Sequence, residues 1–446
     1  MASISRTLQR IKDDLHPFLP DEMIFEACSR AGHAWRQRLL DPVVTLHLFI
    51  LQILNFNTAM THLRHLAKYP VKAAAYCKAR MRLPLATPQD LQRSSSVGMS
   101  EACDGRGLWC GLRADLVDGT STITPDTPEL DKTFKHPKGQ KEGCGFPVPK
   151  LLALFDAFSG LVIERLGFPL STHDPSKVWL LHPLLGRCGL LVGDRGFCSY
   201  EHLAMLHMRG LQGVFRMHQR QIVSFRRDRR MKRGKKQSGR PTSRFLRRLG
   251  KHDHVVQWYK AKQKPRWLSV MEYRVLPVTL SVREVRYWQP RRGQRPLCVT
   301  IVTTLLDPVH DHKEKIADLY NVRCRAATQF GPLKPTLKLR KVTTRSVEGV
   351  RKELAISCLL YKLVHAVMVE AAWRQGTTPD RISFIDAVRW LLSADPGESL
   401  GVLMENRLRP GRHEPRVVKE RHGSYPVMTH PRQTLRKALK NQAISA

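Results

Sequence analysis

Two aspartates have neighbours that suit them to chemistry. Asp118 follows Ala114-Asp-Leu-Val and precedes Gly119, and Asp194 follows Leu190-Leu-Val-Gly and precedes Arg195-Gly196. A short, mostly apolar run that ends on a carboxylate and a turn residue predicts a buried strand. Such a strand delivers its carboxylate to the C-terminal edge of the sheet, where open α/β sheets place their ligand chemistry. Alone, each aspartate caps a turn as readily as it binds an ion. A pair on neighbouring strands is what two-metal phosphoryl transfer requires: divalent ions roughly 3.5 to 4 Å apart, on the attacking and leaving oxygens. Hard oxygen ligands of this kind suit Mg2+ or Mn2+.

The elements between the two aspartates decide whether they meet. After the strand at Asp118, residues 148–155 and 161–168 are apolar runs around Asp156-Ala-Phe-Ser-Gly160, a hairpin pattern. Asp174-Pro175 predicts a helix cap with proline at the first helical position, followed by Val178, Leu180, Leu181 and Leu184. The strand ending at Asp194 comes next, then a helix over 199–209 stopped by Gly210, then a strand over 213–217. Strand, two-stranded hairpin, helix, strand, helix, strand is the order of the ribonuclease-H-like fold. In that fold the first and fourth strands lie side by side, which makes Asp118 and Asp194 neighbours.

The rest of the chain reads as additions to that α/β core. Residues 15–91 carry a helical period and predict two to five helices. Arg36, Arg38, Arg64, Lys68, Lys78, Arg80 and Arg82 punctuate them as a DNA face or a solvated one. Between Arg226 and Arg248 twelve Lys or Arg surround one Asp. Strand-like pieces at 255–259, 276–282, 285–288 and 298–303 then predict an inserted β subdomain. Trp258, Trp267 and Trp288 lie in that segment among arginines, as core packing or as platforms for unpaired bases. Helical pattern returns at 313–320 and 346–373, where Lys362, His365 and Glu370 mark the second helix as packed and amphipathic. The tail holds ten Lys or Arg from Arg407 to Lys440, with four prolines, and reads as an extended basic arm or a disordered tail. The expected division is 1–105 helical and DNA-binding, 106–218 catalytic core, 219–304 basic β insertion, 305–375 core again, and 376–446 a helical and basic tail.

Composition narrows the partner. Lys and Arg number 75 against 38 Asp and Glu, a net charge of +37, in a chain with 42% apolar residues. Such a field attracts polyanions and points to nucleic acid, with a ribosomal-type or membrane-surface protein as the other class. The ten cysteines include no C-x-x-C pair, which argues against a zinc module and for reduced thiols. The N-terminus carries no signal-peptide pattern, and the apolar run 43–56 is interrupted by His47 and Gln52 and is short for a bilayer. The expectation is a soluble, cytoplasmic, nucleoid-associated protein with no membrane partner.

Several stretches go further. Asp118-Gly-Thr120 with Thr124-Pro-Asp-Thr-Pro-Glu129, Gly139-Gln-Lys-Glu-Gly-Cys-Gly-Phe-Pro147, Asp194-Arg-Gly-Phe-Cys-Ser-Tyr200, Val302-Thr-Thr-Leu-Leu-Asp-Pro308 and Glu348-Gly-Val-Arg-Lys-Glu353 together resemble bacterial insertion-sequence transposases of the DDE class, insertion-sequence-4 type. The resemblance covers nearly the whole chain. It implies a recombinase that binds the terminal inverted repeats of its element, cuts them with metal-activated water and joins the freed 3′-hydroxyl to target DNA. A homodimer is implied by the need to bring two ends together. Asp118 and Asp194 match the first two metal ligands. The third signature of the family is matched at Tyr320, Arg323 and Lys334, which the resemblance places on DNA, but the position of its glutamate is Ala327. Cys324 stands where the family has Trp, and Gly331-Pro332 and Pro335 interrupt the expected helix, where an interior proline costs about 3 kcal/mol. Gln329 is off register, and no acidic residue lies between Asp318 and Glu348. Three readings follow: an active DDE transposase, a catalytically inactive DNA-binding descendant of one, and a general basic RNA-binding protein that makes no use of the paired aspartates.

Overall fold

The computed structural model describes residues 19–36, 38–67, 70–102, 108–137, 144–172, 176–186, 189–226, 241–291, 294–326, 342–393, 398–406 and 430–444. The N-terminal part folds into helices α1 (Asp21–Arg30), α2 (Pro42–Leu54), α3 (Leu63–Leu66), α4 (Ala73–Arg82) and α5 (Ala86–Ala102). Local signals set where they begin. Asp41 caps α2 by accepting from the Val44 amide at 2.7 Å, and Pro42 takes the first position, where an amide hydrogen has no helical partner. All thirteen residues of α2 are buried, the expected placement for a helix apolar on every side.

The central sheet follows. Its first strands are β1 (Leu108–Trp109) and β2 (Leu112–Ser121), then α6 (Pro128–Phe134), β3 (Pro149–Asp156), β4 (Val162–Pro169), a 3-10 segment (Val178–Leu184), β5 (Leu190–Gly193), α7 (Tyr200–Met208) and β6 (Gln212–Arg216). The hydrogen-bonded order begins β4-β3-β2-β5-β6, with β2, β5 and β6 parallel and β3 and β4 antiparallel, the ribonuclease-H-like arrangement expected. Two local expectations need correction. The segment expected as a helix over 178–184 is 3-10, since the ring of Pro183 inside it would clash with the carbonyl that an α-helix places four residues back; Asp174 and Pro175 lie outside the described residues. β2 also continues past Asp118 to Ser121, because β3 remains its partner there after β5 has left.

The strands of the expected β insertion extend the same sheet. After β7 (Arg244–Gly250), β8 (Asp253–Tyr259), α8 (Val270–Val275) and β9 (Thr279–Arg291), strand β10 (Gln294–Thr303) lies antiparallel to β6, and the order runs on β10-β9-β8-β7. The two pieces expected at 276–282 and 285–288 form one strand, β9, of 13 residues. The end of the arginine-rich stretch is the exposed strand β7, and a charged edge resists pairing with another sheet. Residues 227–240 lie outside the described part. Trp258 is core, donating from Nε1 to Glu284 at 3.2 Å, and Trp267 packs against the same cluster, whereas Trp288 is half exposed and meets His252 edge-on. Arg283, 1% exposed, binds both oxygens of Asp253 at 2.8 and 2.6 Å and the Asp311 carbonyl at 2.7 Å, which joins the sheet to the loop before the next helix.

That helix is α9 (Lys313–Ala326), followed by α10 (Val347–Arg374), α11 (Phe384–Ser393) and α12 (Arg432–Ile444). α10 is long and apolar enough to cross a membrane, but 89% of its most apolar window is buried inside the protein. Ile356 and Leu359 on it join Ala114, Leu116, Leu190 and Val192 from one sheet face in a single core with α2. The other face, with Val117 and Leu191, packs against α7 and the 3-10 segment. Lys362 and His365, expected on a polar side of α10, are buried; Lys362 donates to the Gln92 carbonyl, and burial pushes its ammonium down to about 7. The basic tail is helical at α12, while residues 407–429 lie outside the described part.

Candidate active site

The site is built by the parallel pairing of β2 with β5. Cα partners run from Ala114 and Leu190 to Val117 and Gly193, and the next residues on the two strands are Asp118 and Asp194. Side chains alternate along a strand, and Asp194 keeps an extended backbone, φ −77° and ψ 173°. Ala114, Leu116, Leu190 and Val192 share the face under α10, so the alternation puts Asp118 and Asp194 on that face as well, one step beyond the last pair. Both are half-buried. Gly193 is required by close packing: a Cβ there would sit 2.9 Å from the Phe215 ring and 3.0 Å from Val117.

Helix α9 closes over the same face. Ile316, Leu319 and Tyr320 are buried in that core, and the Tyr320 hydroxyl donates to Asp194 Oδ1 at 3.3 Å. On the backbone side, the Phe197 amide donates to the Asp194 carbonyl at 2.9 Å and closes a 3-10 turn over Arg195–Phe197. The structure therefore brings together Asp118, Asp194 and Tyr320 from three elements distant in sequence. Arg323 lies one turn further along α9, and its side chain is outside the described part; Ala327, Gln329 and Lys334 are outside it altogether. Among the described residues, no group of three His, Cys, Asp or Glu side chains converges as a metal site.

Asp115 is a carboxylate that the sequence pattern absorbed into an apolar run. One position out of phase with Leu116, it is fully buried, and neither of its oxygens accepts a hydrogen bond among the described residues. Arg113 Nε stands 3.7 Å away, an ion-pair distance, yet burial outweighs that charge and pushes the carboxyl up to about 8, with Asp156 opposite adding to the rise. Desolvation governs here because the guanidinium makes no hydrogen bond to it. The raised value favours the neutral acid at Asp115 and disfavours it as a holder of a metal ion.

The basic residues of the N-terminal helices separate into two groups. Arg80 is buried: its Nη1 donates to Gln52 Oε1 at 2.8 Å, and its guanidinium lies 3.7 Å over the Phe49 ring. It holds α4 to α2 and is not part of a DNA face. Arg36, Arg38 and Arg82 are exposed and line a cavity of about 400 Å³ beside His33 and Trp35, with no carboxylate among the described residues of its lining. Trp35 stacks on Phe25, ring centroids 5.5 Å apart at 14°. Lys68 lies outside the described residues.

Comparisons with known proteins agree with this geometry. The transposase DDE domain family matches residues 110–363, from β2 into α10. The chain is 27% identical over 345 residues to transposase InsG for insertion sequence element IS4 of Escherichia coli (strain K12), covering 72% of this chain and 70% of that protein. Among solved structures, a piggyBac transposase synaptic complex with hairpin DNA aligns over 88% of this chain and 82% of its own, at 11% identity and a TM-score of 0.40, a likeness too distant to carry residue roles across. The chain belongs to the DDE-domain transposases, and within them to the insertion-sequence-4 type.

Proposed function

We propose that this transposase binds the terminal inverted repeats of its element and target DNA, and that its strand-cleavage step is impaired because Ala327 occupies the third carboxylate position. The observation that carries the reading is that Asp118 and Asp194 each stand one step past the last paired residues of β2 and β5, beneath α9, in a chain with no acidic residue between Asp318 and Glu348. Two half-buried carboxylates on one sheet edge are a hard-oxygen donor set that fits Mg2+ or Mn2+, with Asp118 and Asp194 as the holding residues. Bound there, a divalent ion supplies Lewis-acid activation of water or of a 3′-hydroxyl for attack on a phosphodiester. Tyr320 donates to one oxygen of Asp194 and so helps to fix the carboxylate that would hold the ion. Arg323 and Lys334 are proposed DNA contacts along the same segment.

DNA capture rests on charge. A net charge of +37 and the arginine-lined cavity at Arg36, Arg38 and Arg82 favour the phosphate backbone, each neutralised phosphate adding to the salt dependence of binding. Two bound ends imply a pair of chains in the working complex. The test is an assay on the element's own terminal repeats with Mg2+ or Mn2+. Specific binding with little or no double-strand cleavage supports the proposal, and robust cleavage by the unaltered protein refutes its second half. Binding without preference for the terminal repeats, unchanged on replacing Asp118 and Asp194, would refute the first.

A further inference from the structure

Behind Asp194, on the opposite sheet face from the carboxylates, two histidines are buried against each other. His182 lies on the 3-10 segment and is 1% exposed; His202 lies on α7 and is 0% exposed. His202 Nε2 is 2.9 Å from His182 Nε2, and His202 Nδ1 is 2.8 Å from the Phe197 carbonyl. The Phe215 ring on β6 lies against His202 at 5.0 Å between centroids and packs the imidazole against the sheet.

The hydrogen-bond directions follow from the partners. A carbonyl oxygen only accepts, so His202 carries its proton on Nδ1. Burial holds both rings neutral, pushing His202 down to about 4 and His182 to about 2. With Nδ1 protonated, His202 Nε2 is an acceptor, and His182 must donate to it from Nε2. That leaves His182 Nδ1 without a proton, and it is the atom that finds no hydrogen-bond partner among the described residues. The relay therefore runs one way: His182 Nε2–H to His202, then His202 Nδ1–H to Phe197. Phe197 in turn donates its amide to the carbonyl of Asp194 at 2.9 Å.

We propose that His202, backed by His182, is a positioning residue for the Asp194 carboxylate, clamping the turn that aims it from behind the sheet. The proposal rests on the reading of Asp194 as a metal-holding residue. A core histidine pair with no such role would affect stability alone. Side-chain amides separate the two cases: His202→Asn keeps a donor near the Nδ1 position, whereas His202→Phe keeps an aromatic ring and loses the donor.

The test uses the full chain and Mn2+ as probe. Titration calorimetry on folded His202→Phe is expected to show Mn2+ affinity reduced 10- to 100-fold, with most of the loss recovered in His202→Asn. Equal affinity in the unaltered protein and folded His202→Phe overturns the proposal. If the unaltered protein takes up no Mn2+, the metal reading fails, and the clamp is judged on amide exchange over residues 194–199: protection lost in His202→Phe and kept in His202→Asn supports it, and equal protection in both overturns it. Should His202→Phe fail to fold, 15N spectra of histidine-labelled unaltered protein decide. A proton on His202 Nδ1 and on His182 Nε2 supports the relay, and any other tautomer pair overturns it.

Discussion

Tyr320 donates its hydroxyl hydrogen to Asp194 Oδ1 at 3.3 Å, across 126 positions of sequence, and thereby ties helix α9 to the strand that carries the carboxylate. This long hydrogen bond at a half-buried site is worth about 1 kcal/mol in stability. Its larger consequence is orientation. Tyr320→Phe is expected to leave thermal stability within about 1 kcal/mol of the unaltered protein and to weaken Mn2+ binding by roughly 10-fold or more, measured by calorimetry. Unchanged Mn2+ affinity would remove Tyr320 from the site.

The N-terminal cavity predicts a change in salt dependence. Each phosphate neutralised contributes a slope of about 0.9 in log K against log salt, so replacing both Arg36 and Arg38 with Ala should lower the slope by roughly 2 if each meets one phosphate. Fluorescence anisotropy with terminal-repeat DNA over a salt series measures it. Arg80→Ala serves as the contrast. Arg80 packs between Gln52 and Phe49, so its loss should lower the melting temperature.

Asp115 predicts a pH signature. Its carboxyl is raised from the usual 3.8 to about 8, so between those values the unfolded chain has released a proton that the folded chain still holds. Stability from this residue is full below pH 4, declines as pH rises towards 8, and is flat beyond. Asp115→Asn removes that decline. The variant should match the unaltered protein at pH 4 and exceed it by about 2 kcal/mol or more at pH 8, by urea unfolding at each pH. A constant difference across that range would contradict the placement of Asp115 as a buried, neutral acid.

The order of strands was legible because period and punctuation agree there. The run 190–193 followed by Asp194, the hairpin at 156–160 and the cap at Ser199 each have a local physical cause, and the sheet order follows from them. Long-range pairing was less legible. Nothing local announces that β10 would join β6, because antiparallel partners 85 to 89 residues apart share no spacing signal, so the insertion was legible but its continuation of the sheet was not. Arg80 and Lys362 were misplaced for a related reason. A charged residue on a helix reads as exposed until a partner from another helix, Gln52 or the Gln92 carbonyl, buries it. At the site, Asp118 and Asp194 were marked by their strands, and Tyr320 by family likeness. His182 and His202 carried no mark, since a relay through a backbone carbonyl requires only proximity in the fold.

The central claim is that the fold holds two of three carboxylates in place and that Ala327 is what limits cleavage. The direct measurement compares double-strand cleavage of terminal-repeat DNA in Mn2+ by the unaltered protein and by Ala327→Glu. Restoring an oxygen ligand is expected to raise the cleavage rate 10- to 100-fold or more, and Asp194→Asn in the same background should abolish the gain. Equal, robust cleavage by both proteins would contradict the account.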